Sequence, residues 1–106
     1  MTLQEVNQEL EKIAKELFEK VKAHQAAEYN YNIRFWDLLI HSGMGTVAAK
    51  EAEANLTCKE EGLLEPLQEL RGEVRGLYHM KDCYIAIAAN LRAMQVGGHN
   101  EDSSHS

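Results

Sequence analysis

The sequence predicts an all-α protein, a long antiparallel helical hairpin that assembles as a homodimer into a four-helix bundle. Three observations carry that expectation. A single proline in 106 residues, Pro66, leaves nearly the whole chain free to be helical. Leu63, Leu67, Leu70, Val74, Leu77, Tyr84, Ala88 and Leu91 recur at alternating spacings of four and three, interrupted only by Lys81. That is the a/d seam of a helix packed against another helix. Between the two halves, Ser42-Gly43-Met44-Gly45-Thr46 is the one clear turn.

The first helix is expected over about 2–41, on the order of 60 Å long. Thr2 can cap its free amides, and Glu5, three residues on, completes a capping box. Leu3, Val6, Leu10, Ile13 and Leu17 then form a seam. The apolar phase slips around Val21 to Ala26 and resumes as Ala26, Tyr29, Ile33, Trp36 and Ile40, a run expected to pack into the core. In the turn over 42–46, Gly43 suits the left-handed position that ends a helix, and Thr46 suits the cap of the next.

The second helix is expected over about 47–96, opening with a narrow strip of Ala48, Ala49, Ala52 and Leu56. Gly62 and Pro66 mark a kink at 62–66: either a fresh helix begins near Leu63 or one long helix bends there. The unbroken spacing from Leu56 to Leu63 favours the bend. Gly72 and Gly76 fall at outer positions, so the pair does not read as a GxxxG contact. Gly97-Gly98 ends the helix, leaving residues 1–98 as one domain and His99 to Ser106 as a polar, disordered tail.

Charge and composition exclude several functions. Seventeen acidic residues stand against 11 Lys and Arg, for a net charge of −6. Lys12, Lys15, Lys20 and Lys22 are interleaved with Glu, so no basic stripe exists to track a phosphate backbone, and direct nucleic-acid binding is not expected. The acids alternate with lysines rather than run together, which argues against a duplex mimic. Leu3 is followed by Gln, Glu and Val-Asn rather than an apolar run, so no signal peptide is expected. The stretch from Tyr84 to Ala89 is too short to span a bilayer. Cys58 and Cys83 belong to no CxxC pair, which fits two free thiols in a reducing cytoplasm. The sequon at Asn55-Leu56-Thr57 is then a chance match.

Candidate chemistry is sparse. His24 and Glu28 share a helical face and offer two metal ligands, but no ExxH pair accompanies them, and a solvated face explains both. His41 sits where a helix end favours a cation. Tyr78, His79, Asp82 and Cys83 form the densest reactive cluster, yet no oxyanion-forming turn follows; they read as a polar face around a small buried thiol. No catalytic residue, cofactor or metal is expected, and the chain does not read as an enzyme.

Binding is the better expectation. Tyr29, Tyr31, Phe35 and Trp36 place four aromatics in eight residues. Tyr29 and Trp36 fall on the apolar seam, whereas Tyr31 and Phe35, four apart and off it, are the candidate partner-binding pair. Folding the chain at 42–46 leaves the last helix running past the first, so Ile85, Ile87, Leu91 and Met94 are the expected oligomer interface. A sharp break at 62–66 would instead give a three-helix monomer. The leading expectation is a small acidic interaction protein that binds and modulates or inhibits a partner protein. The alternative is a small-molecule binder in which Arg75, Lys81 or Arg92 meets an anionic ligand between helices of the oligomer.

From Tyr31 through Met94 the layout resembles small helical bacteriophage accessory proteins of unknown function. The shared features are the aromatic-bearing first helix, the turn at Ser42 to Thr46, the alanine-rich start with Lys50, Glu51 and Ala52, and the close on Asn90-Leu91-Arg92-Ala93-Met94. The resemblance implies an accessory factor acting on a host system and carries no site residues with it.

Overall fold

The computed structural model describes residues 1–105, with side chains described through Gln95, and its elements are all helices: α1 (Leu3–Ile40), α2 (Val47–Glu60) and α3 (Leu64–His105). The helix end expected at Gly97-Gly98 and the tail expected over 99–106 fall outside the residues whose side chains are described.

Each helix begins on a recognisable signal. The Glu5 amide donates to Thr2 Oγ1 at 3.2 Å and the Thr2 hydroxyl donates to Glu5 Oε1 at 3.2 Å, closing the expected capping box on α1. Thr46 caps α2 in extended conformation, its hydroxyl accepting the Ala49 amide at 3.1 Å. Gly43 does not take the left-handed conformation expected of it; the one positive-φ glycine among the described residues is Gly62, at φ 76°.

Gly62 is why α2 and α3 are two helices rather than one bent one. The Leu63 amide donates to the Cys58 carbonyl at 3.0 Å and the Gly62 amide to the Lys59 carbonyl at 3.1 Å. Those two bonds are a Schellman motif, which occupies the Cys58 and Lys59 carbonyls near the end of α2 and turns the chain out of the helix. Pro66 then falls within the first turn of α3, where its missing amide has no helical partner to lose.

The chain divides into two compact units, Met1–Phe18 with Arg75–Ser106, and Glu19–Val74. In the first, Val6, Ile13 and Leu17 of α1 and Leu77 and Ala88 of α3 are buried, with Lys81, Tyr84 and Leu91 half-buried between and beside them. The predicted four-three seam of α3 is therefore its inward face. In the second unit, Ala54 and Cys58 of α2 and Leu67 of α3 are buried against the second half of α1. The pairs Arg34–Glu61 at 2.6 Å and Lys20–Glu73 at 2.8 Å show α1 running antiparallel to the chain from the end of α2 into α3.

Two expectations about faces are overturned. On α1 the buried and half-buried positions include Leu3, Val6, Leu10, Ile13, Leu17, Lys20, His24, Ala27, Tyr31, Arg34 and Leu38, an unbroken three-four alternation, with Glu9, Val21, Phe35 and Leu39 half-buried beside it. The inward face never slips; polar side chains hold it through the second half. The apolar run expected in the core is outside it, with Tyr29 66%, Ile33 53%, Trp36 58% and Ile40 73% exposed. On α2 the expected strip is likewise displaced: Leu56 is 57% exposed, while Ala54 and Cys58 are buried.

Candidate interaction surface

The second unit joins a polar seam to an apolar outer stripe, and the seam explains the stripe. Arg34 occupies an inward position of α1 and grips Glu61 at the end of α2 with two parallel bonds, Nε to Oε2 at 2.9 Å and Nη2 to Oε1 at 2.6 Å. A third bond runs from Nη1 to Asp37 Oδ2 at 3.1 Å. A fork of this geometry fixes direction as well as distance. The Arg34 hydrogen bonds hold the Glu61 carboxyl below its ordinary range, and the same contacts raise the guanidinium further above its own.

One turn earlier, the Tyr31 hydroxyl donates to Asn55 Oδ1 at 2.6 Å. Partial burial pushes that hydroxyl above its usual value, and nearby Cys58 adds to the shift. Burial also pushes the Cys58 thiol up, with Glu61 raising it further and Arg34 opposing. A thiol held protonated is a packing group rather than a nucleophile. Further along, Lys20 pairs with Glu73, and His24 Nδ1 lies 3.7 Å from Glu28 Oε2 while its buried Nε2 has no hydrogen-bond partner.

With these polar contacts orienting α1, its opposite side presents Ala26, Tyr29, Ile33, Trp36 and Ile40 to solvent. Their spacings of three, four, three and four are again those of an a/d seam. Few charges border it: between Ala23 and His41 the formally charged residues are Glu28, Arg34 and Asp37. Phe35 stacks on Tyr31 at 6.1 Å between centroids and meets Trp36 edge-on at 5.9 Å, bracing the indole from behind.

The residues singled out from sequence fall as follows. Tyr31 and Phe35 are half-buried and engaged within the chain, while the outward aromatics are their neighbours Tyr29 and Trp36. Ile85, Ile87 and Met94 are exposed and flank the α3 seam, in which Leu91 is half-buried. Arg75 and Arg92 are exposed and Lys81 is half-buried, its amine 5.1 Å from the Tyr78 ring centroid. These three cations do not converge: Arg75 sits about 120° around α3 from Lys81, and Arg92 lies about 16 Å further along it. Cys83, expected as a buried thiol, is exposed; the buried one is Cys58. Gly72 and Gly76 face outward as expected, with nothing within 4 Å of a methyl built on either.

Sequence reasoning missed the outer stripe because it followed apolar residues and assumed that they face inward. The available signal was the alternation Lys20, His24, Ala27, Tyr31, Arg34, Leu38, which continues the phase of Leu3 to Leu17 without a slip. Among the described residues no helix is long and apolar enough to cross a membrane, and no three His, Cys, Asp or Glu side chains gather as metal ligands. No protein-family model, curated protein or solved structure matches this chain.

Proposed function

We propose that this chain is a non-enzymatic helical interaction protein, assembled as a homodimer, that binds and modulates a partner protein by covering one of its surfaces. The observation that carries the reading is that α1 and α3 each keep apolar side chains exposed at helical spacing on top of a seam already used inside the chain. Tyr29, Ile33, Trp36 and Ile40 do so on α1, and on α3 Met80, Ile87 and Met94 do so along one flank of its seam, with Tyr78 and Ile85 on the other flank. Surface apolar residues scattered singly need no explanation, but rows of them mark contact surfaces. The net charge of −6 favours a basic partner and speeds the encounter with it. An accessory factor acting on a host system fits this mode of action.

Both rows also offer a seat for a second copy, and the four-helix bundle of the proposed dimer needs one of them. The test is capture of a binding protein by the full chain, followed by rebinding from purified components. Ile87→Glu should lower the affinity of that purified pair by about 10-fold or more with helicity unchanged. A chain that rebinds no purified protein, and retains a small molecule instead, contradicts the reading.

A further inference from the structure

We infer that the outer stripe of α1 is the self-association seam, pairing antiparallel with the same stripe of a second copy. This rests on the interaction reading above and leaves the exposed row of α3 to the partner. The stripe's centre lies about 150° around α1 from the centre of the inward seam, so a second helix seated on it meets none of the chain's own helices in that unit.

What selects a second copy over another occupant is self-complementarity. In an antiparallel pair the a positions of one helix face the d positions of the other. Of the registers that rule allows, the one with its two-fold axis at Tyr31 sets Ala26 against Trp36 of the second copy and Tyr29 against Ile33 of the second copy, each pair occurring twice by symmetry. The smallest residue of the stripe thus faces the largest. Tyr29, with Gln25, Glu28 and Asn32, rims a shallow hollow that borders the stripe on one side.

The flanks agree. At the two-fold axis the register brings Asn30 beside Asn30 of the second copy, and Asn32 beside its own mate. An amide carries both donor and acceptor and bonds its own image, which a carboxylate or ammonium cannot do without repulsion. At the ends Lys22 lays its stem over Ile40 of the second copy, with its amine toward Asp37 there. No acid is set against an acid, although the chain as a whole repels its copies at a net charge of −6. The four large stripe residues leave on the order of 500 Å² of apolar side chain uncovered per chain, so the pair reaches the roughly 1,000 Å² a specific interface needs.

The experiment is light scattering after size exclusion on the full chain and on Ile33→Asp and Ile87→Glu, with helicity followed by circular dichroism. Asn30→Cys in a Cys83→Ser background is also oxidised and run on a non-reducing gel. The wild type and Ile87→Glu should show twice the 12.0 kDa chain mass, Ile33→Asp the single mass with helicity kept, and Asn30→Cys a cross-linked dimer. A wild type that stays at the single mass at tens of micromolar overturns the inference. So does a dimer that survives Ile33→Asp and dissociates on Ile87→Glu, which would seat the second copy on α3 while the interaction reading stands. A wild-type dimer whose Asn30→Cys form does not cross-link overturns the antiparallel register, and this arm decides the matter should Ile33→Asp lose helicity. Failure of the interaction reading shows separately, as absence of any purified protein that rebinds.

Discussion

His24 shows how the inward face of α1 trades stability for polarity. Its Nε2 is buried without a partner, in a row that runs Leu17, Lys20, His24, Ala27 and Tyr31. A buried polar atom left unpaired costs free energy that an apolar replacement recovers. His24→Leu should therefore stabilise the fold by about 1 kcal/mol, read as a rise in denaturation midpoint with unchanged slope. A fall in the midpoint would show that the imidazole is satisfied after all. Glu61 makes a second case, one that depends on pH. Its folded carboxyl titrates below its ordinary value because Arg34 binds the charged form. A depressed carboxylate contributes stability above the unfolded value near 4.5, and that contribution is lost as pH falls through the lower folded value. Glu61→Gln should flatten the acid side of the stability profile below about pH 4.5 and leave its shape near neutrality unchanged. An acid limb identical in the two proteins would remove Arg34–Glu61 from the account.

At the scale of elements, much was legible and the rest failed for one reason. The capping box at Thr2, the turn ended by Thr46 and the seam of Leu67 through Leu91 are all local patterns with one physical solution. The faces of α1 and α2 are not local. Which side of α1 turns inward past Leu17 is decided by Glu61, Glu73 and Asn55, residues far away in sequence that supply partners for Arg34, Lys20 and Tyr31. Apolar periodicity cannot see such partners, so it put Trp36 inside. The break after α2 was readable in principle, since Gly62 followed by an apolar Leu63 is the Schellman pattern, but an accidental seven-residue spacing from Leu56 masked it. Glycine substitutions separate these cases. Gly62→Ala, at φ 76°, should destabilise by about 1 kcal/mol, because a side chain there is strained. Gly72→Ala and Gly76→Ala, inside α3 with open space around them, should each stabilise by roughly 0.5–1 kcal/mol. Equal effects at all three positions would mean that α2 and α3 form one continuous helix.

For the whole molecule, the central claim is that α1 carries two seams, a polar-bearing one turned to its own chain and an apolar one turned to a second copy. Trp36, the one tryptophan, sits in the outer seam and reports on it directly. The measurement is its fluorescence emission across a dilution series from tens of micromolar to tens of nanomolar, for the wild type and for Ile33→Asp. The account predicts a blue-shifted, quencher-protected indole at high concentration that moves to the emission of a water-exposed one on dilution. In Ile33→Asp it should emit as water-exposed throughout. An indole that stays buried at every concentration in both proteins would return Trp36 to the chain's own core and contradict the account.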